Sequence, residues 1–218
     1  MSIWKSYPIY KKIRVGDVGA GNYFEIEDEG NVILNGDATS WDDLRFPASG
    51  SQLFSAAGRI DYNYDDCTLD LQDTCIYPTD VLCYLPQMSH AKQLGSAIEL
   101  HVHWLQNQNA TPNWLLGYRW INIGETAIAV GSETLVKWTE NAITYSSGTI
   151  HQLTEFGSIT KSVTDTLSSI LQIRLFRDTT NVSTLFAGAD PYTGDAQLLE
   201  FDIHFIKDGF GSNEEYVK

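Results

Sequence analysis

The amino-acid sequence predicts an all-β protein, an antiparallel β-sandwich of jelly-roll-like build with little helix. Three observations predict it. Short segments of alternating or β-branched character recur along the chain, and Gly, Asn, Asp and Pro separate them. Two of these segments alternate between apolar and polar residues with the period of two that a half-buried strand requires. Apolar residues at helical spacing are scarce.

In chain order, residues 1–20 read as an N-terminal arm, 21–208 as one sandwich domain, and 209–218 as an acidic C-terminal tail. Candidate strands lie at 21–26, 32–34, 59–64, 97–106, 113–123, 143–153, 170–176 and 197–207. In the last of them, Leu199, Phe201, Ile203 and Phe205 are expected on one face, and Glu200, Asp202, His204 and Ile206 on the other. In 97–106, Ile98, Leu100, Val102 and Trp104 oppose Glu99, His101, His103 and Leu105. Two short helical turns are expected. One lies within 161–169. The other spans 40–44, where Ser40 stands as an N-cap before Trp41, Asp42 and Asp43, acids suited to a first turn.

A chain of 218 residues buries roughly 70% of its unfolded surface as a single globule, enough for a core without staples. Charged residues make up 19%, below the usual ~25%, while the chain holds 6 Trp and 11 Tyr. A surface poor in charge and rich in aromatics suits coverage by partners. Twenty-eight acidic residues against 14 basic ones give a net charge of −14. That excludes a phosphate-neutralising nucleic-acid surface and disfavours anionic membranes. The opening residues lack the apolar core of a signal peptide, and no apolar run approaches the ~20 residues of a spanning helix. The expectation is assembly in a cytoplasm. Cys67, Cys75 and Cys83 form no close CxxC pair, so free thiols are expected rather than a disulfide framework or a zinc site.

No GxSxG elbow, P-loop, GxGxxG or HExxH is present. Gly16-Asp-Val-Gly19-Ala-Gly21 precedes a strand-like segment rather than a helix, which argues against phosphate cradling. The adjacent acids Asp42-Asp43 and Asp65-Asp66 read as solvated turns. Gly95 followed by His101-Val-His103 matches the opening of a cupin motif, whose imidazoles share one strand face and reach a metal inside the roll. The match then fails: Trp104 to Gln108 stand where a Glu is needed, and Gly188-Ala-Asp-Pro191 with His204 imitates the second motif poorly. A different arrangement uses the same residues. If the strand with Glu99, His101 and His103 meets the one with Glu200, Asp202 and His204, a histidine–carboxylate network follows. Such a network is a hydrogen-bonded support, or a metal-binding or pH-sensitive site at a subunit interface. Trp104, Trp114, Tyr118, Trp120 and Trp138 read as core or interface packing, with a sugar-stacking platform as the alternative.

Specific strings extend this reading. Thr39-Ser-Trp-Asp-Asp-Leu-Arg-Phe-Pro47, Glu99-Leu-His-Val-His-Trp104 and Trp114-Leu-Leu-Gly-Tyr-Arg-Trp120 come first. Tyr145-Ser-Ser-Gly-Thr-Ile-His-Gln152, Leu167 to Arg177, Leu199 to Phe205 and Gly211 to Lys218 follow. In these strings the chain resembles structural proteins of tailed-bacteriophage virions over residues 39–218. The resemblance implies a non-enzymatic virion component without a cofactor, a jelly-roll protein displayed on capsid or tail. It carries no catalytic residues over.

Three functions are therefore in view. The first is a trimeric capsid decoration (cement) or head-fibre protein that binds and stabilises the shell. Its partners are its own copies and the major capsid protein or other virion proteins. Lys5, Lys11, Lys12 and Arg14, the one basic stretch of an acidic chain, are its expected anchor. The second is a tail or fibre protein that recognises host glycan, with Trp114 and Trp138 as stacking residues. The third, remote, is a cupin-like metalloenzyme. His101, His103, Asp202 and His204 are the candidate polar or metal cluster in any of them.

Overall fold

The computed structural model describes residues 12–27, 30–55, 57–125, 133–160 and 165–211. A β-meander comes first: β1 (Lys12–Asp17), β2 (Asn22–Glu27) and β3 (Val32–Asn35). It leads into β4 (Ser40–Pro47), β5 (Gln52–Ser55), β6 (Ile60–Asn63), β7 (Thr68–Leu71) and β8 (Asp80–Tyr84). Then come β9 (Ile98–Gln106), β10 (Trp114–Ile121), β11 (Thr134–Lys137), β12 (Glu140–Asn141), β13 (Ile150–Ile159), β14 (Ile170–Arg177) and β15 (Ala196–Lys207). Helix among the described residues is confined to two 3-10 turns, Gly36–Ala38 and Ala48–Gly50, and no helix is long and apolar enough to cross a membrane.

Eight of these strands form the frame. One sheet runs β13-β9-β15-β7 and the facing one β11-β10-β14-β8. The chain crosses between them, with β7, β9, β13 and β15 in one and β8, β10, β11 and β14 in the other. All pairings are antiparallel. This order with this alternation is the double Greek key of a jelly roll. Four further strands extend the sheets: β6 beside β7, β12 beside β13, β5 beside β8, and β4 along the second half of β15.

The inward residues predicted for 97–106 fill the space between the sheets. Ile98, Leu100, Val102 and Trp104 are buried there with Phe201, Ile203 and Phe205, against Leu82, Leu116, Leu171, Ile173 and Leu175. Trp104 meets Trp114 edge-on at 6.1 Å, and its indole N–H donates to Thr154 Oγ1 at 2.8 Å. The interior of the roll is thus packed with side chains.

Several expectations need correction. Residues 40–44 are not a helical turn but the start of β4, which pairs with β15 from Ser40↔Lys207 to Pro47↔Glu200. An N-cap is worth only ~1 kcal/mol. An open sheet edge offers hydrogen bonds to a whole strand of backbone groups, and it wins. The pair Asp42-Asp43 therefore lies on a strand, while Asp65-Asp66 does lie in a turn. The strand expected at 143–153 begins only at Ile150. Of the helix expected within 161–169, residues 161–164 lie outside the described residues and 165–169 hold a turn. Leu199 is not a core residue. A bulge between Leu198 and Glu200 turns Leu198 inward instead, and at that point β15 exchanges its neighbour β7 for β4. A second bulge, in β13 between Glu155 and Ser158, uses Gly157 at φ +73°, where an L side chain is strained.

Lys12–Asp17 is a paired strand rather than part of a free arm. The meander joins the body through the Ile33↔Gly209 bridge and a hydrogen bond from Leu34 N–H to the Asp208 carbonyl at 2.6 Å. Residues 212–218 of the expected tail lie outside the described residues.

Candidate functional site

Alternation along β9 places Glu99, His101 and His103 on the face opposite the core. β15 runs beside it with His204 across from Glu99, Asp202 from His101, and Glu200 from His103. Directly paired residues share a face, so the two polar rows foreseen from the sequence form one surface. β13 flanks the other side of β9, with Glu155 across from His101, and contributes His151. β4 brings Asp43 across from His204 and Arg45 across from Asp202. Four of the chain's five histidines meet on this outer face of the roll.

Asp202 is the hub. Its Oδ2 lies 3.1 Å from His103 Nε2 and 3.1 Å from His204 Nε2, and its Oδ1 lies 3.4 Å from His101 Nδ1. The network continues from His103 Nδ1 to His151 Nε2 at 2.8 Å, and from His204 Nε2 to Asp43 Oδ1 at 3.2 Å. The His101 and His204 rings meet edge-on at 4.3 Å. A two-pronged ion pair from Arg45 to Glu200, 2.6 and 2.9 Å, closes one rim. The side chains of His101 and Asp202 are only 4% and 5% exposed.

Burial pushes the Asp202 carboxyl up, but the hydrogen bonds from His101 and His103 outweigh it and hold the group far below the usual carboxylate range. Burial likewise pushes His101 down, yet the hydrogen bond to Asp202 and the nearby charges of Asp202, Glu155 and Glu99 leave it raised. His151 is lowered, by burial first and by its neighbour His103 second. Asp202 is therefore held as a carboxylate, and the surroundings bias His101 towards its protonated form and His151 towards its neutral one.

His101, His103, Asp202 and His204 are thus brought together as a cluster. His101 and His103 face away from the packed interior, where a cupin metal would have to lie. Sequence reasoning missed His151 and Asp43. The signal for His151 was the alternation of Gln152, Thr154 and Phe156 along β13, which sets His151 on the outer face.

The other candidates fare differently. Trp114 is fully buried in the core, so its ring has no free face for a sugar. Trp138 is half-buried against the core and lines an open cleft of ≈ 550 Å³ with Asn113, Lys137, Phe186 and Pro191. Lys5 and Lys11 lie outside the described residues. Lys12 pairs with Glu25 at 2.8 Å and Glu27 at 3.0 Å, and Arg14 pairs with Glu25. The charge of both is spent within the meander, where Lys12 first and Arg14 second hold the Glu25 carboxyl below its ordinary value.

A scan against protein-family models finds no match, and searches of curated proteins and of solved structures find none either.

Proposed function

We propose that this chain is a non-enzymatic, self-associating structural protein of a tailed-phage particle, a decoration protein whose copies assemble through the β1–β3 sheet. One observation carries the reading. Register places Ile13, Ile26 and Val32 in one row and Val15, Phe24 and Leu34 in the next, all on one face. None of the six is buried, and Ile13 and Val15 are 52% and 59% exposed. Among the described residues, no hydrophobic side chain of the meander belongs to or packs against either core cluster. A three-stranded sheet needs a covered apolar face for stability, and among the described residues its outer strand β1 has a partner on one edge only.

A second copy of the chain is the occupant that suits this face. Its six side chains carry no charge, while each chain carries −14, so copies meet where repulsion is least. Closed association around an axis, as a trimer, would cover all the faces at once. Jelly rolls serve viral capsids, lectins and cupins alike, so the fold supports a virion role only by analogy.

The test is light scattering and sedimentation of the purified chain beside an Ile13→Lys/Val15→Lys variant. The wild type is expected as a closed oligomer, and the variant as monomers with an unchanged far-ultraviolet spectrum. A wild-type monomer at micromolar concentration overturns the assembly. Particle imaging that places the chain off the shell moves it from decoration to tail.

A further inference from the structure

The outer-face network contains a donor set of the kind that ligates metal ions. Glu99 and His101 stand two residues apart on β9, and His204 lies across from Glu99 on β15. One donor atom from each of the three lies within 4.8 Å of the others, the one such group of histidine, cysteine or carboxylate side chains among the described residues. A second feature lies beside that spacing. Asp202 Oδ1 stands 3.4 Å from His101 Nδ1 and Asp202 Oδ2 stands 3.1 Å from His204 Nε2, so one buried carboxylate engages one nitrogen of each imidazole and leaves the other nitrogen of each ring for a ligand.

We infer that Glu99, His101 and His204 bind one divalent transition-metal ion of the zinc class, with water completing the shell. Two imidazoles and one carboxylate match the borderline-soft preference of Zn²⁺, Co²⁺ and Ni²⁺ and not the all-oxygen preference of Ca²⁺ or Mg²⁺. Donors around tetrahedral zinc, at bonds of about 2.0–2.2 Å, are separated by roughly 3.4 Å. The cluster reaches that by a small contraction, and Glu99 is a flexible, half-exposed side chain able to make it. Asp202 contacts both His101 and His204, and Asp43 contacts His204, the kind of carboxylate support that orients ligating imidazoles. The open side faces solvent, since Glu99 and His204 are partly exposed. The bound ion would tie β9 to β15, the central strands of their sheet.

The test uses the full chain, stripped with chelator and titrated with ZnCl₂ by calorimetry, with the unfolding temperature followed in parallel. One equivalent per chain and a raised unfolding temperature are expected. Glu99→Gln and His204→Asn alter partly exposed side chains and keep a hydrogen-bonding group at each position, the asparagine amide retaining a donor for Asp202, and each should weaken Zn²⁺ binding about tenfold or more. Co²⁺ should give a visible spectrum in the wild type that both variants lose. His90→Ala, outside the cluster, should change nothing. No binding by millimolar Zn²⁺ overturns the proposal. So does binding that survives both variants, or binding lost only in a His151→Ala variant. None of these outcomes depends on the oligomeric state, so this inference and the assembly proposal fail separately.

Discussion

Asp202 stands directly across the β9–β15 ladder from His101, its Oδ1 3.4 Å from the imidazole Nδ1, with both side chains sealed from solvent. The carboxylate also receives His103 and His204. A buried charge of this kind is tolerable only while its partners stay in place, because its desolvation is otherwise uncompensated.

Replacing Asp202 therefore costs stability out of proportion to its size. Asp202→Ala is expected to cost about 3–5 kcal/mol, the range for removing one partner of a buried ion pair. Asp202→Asn keeps the shape but turns one acceptor into a donor, and should cost about 1–3 kcal/mol. Chemical denaturation at neutral pH measures both. An Asn variant as stable as the wild type would show that the network contributes nothing to folding.

Arg177 supplies a second buried charge, at the end of β14. Its guanidinium, fully enclosed, donates to the carbonyls of Leu71, Gly194 and Tyr192 and to Asp190 Oδ2, each at 2.6 Å. It pins the end of β7 and the loop before β15 to β14. Arg177→Met should cost about 3–5 kcal/mol, since it leaves the buried Asp190 carboxyl without its counter-charge and removes the guanidinium donors from three carbonyls. Lysine cannot reproduce the fork, so Arg177→Lys should recover only a small part of the loss. Full recovery by lysine would mean that charge alone matters at this position.

The sequence was most legible where periodicity and burial agree. The alternation of Ile98 to Trp104 against Glu99 to Leu105 gave β9 with both faces right, and the matching rows on β9 and β15 foretold the histidine–carboxylate face. Long-range choices were not legible. Nothing local to Ser40-Trp41-Asp42-Asp43 says that an edge of β15, about 160 residues onward, will claim it as a strand. The bulge at Leu198–Glu200 reverses the inward residue from Leu199 to Leu198 because one extra residue resets a period of two, and both choices are leucine. The ion pairs of Lys12 and Arg14 were not legible for a related reason: the acids they meet lie across a hairpin at Glu25 and Glu27.

Acid should weaken the fold through Asp80. This fully buried carboxylate accepts Ser55 Oγ at 2.6 Å, Arg59 Nε at 2.6 Å and the Ile76 N–H at 2.7 Å. Burial pushes its pKa up, but these hydrogen bonds and the Arg59 charge outweigh it, and the net shift is downward from 3.8. A carboxyl depressed in the folded state stabilises it at pH values above the unfolded pKa. That contribution fades as pH falls below about 4 towards the folded value. Unfolding free energy measured from pH 7 to pH 3 should therefore drop in the wild type and drop less steeply in Asp80→Asn, which starts lower. Parallel curves for the two proteins would assign the acid sensitivity elsewhere.

The two tryptophans proposed for glycan stacking separate receptor binding from structure. Trp114 fills the core beside Trp104, so Trp114→Ala should cost about 3–5 kcal/mol by opening a cavity. Any loss of binding in that variant would only report damage to the fold. Trp138 lines the open cleft with Phe186 and Pro191 and is half-buried, so Trp138→Ala should cost clearly less and leave the sheets intact. On the decoration reading, neither the wild type nor Trp138→Ala binds a glycan array. If the wild type binds a glycan and folded Trp138→Ala does not, the cleft is a receptor site and recognition replaces decoration as the function.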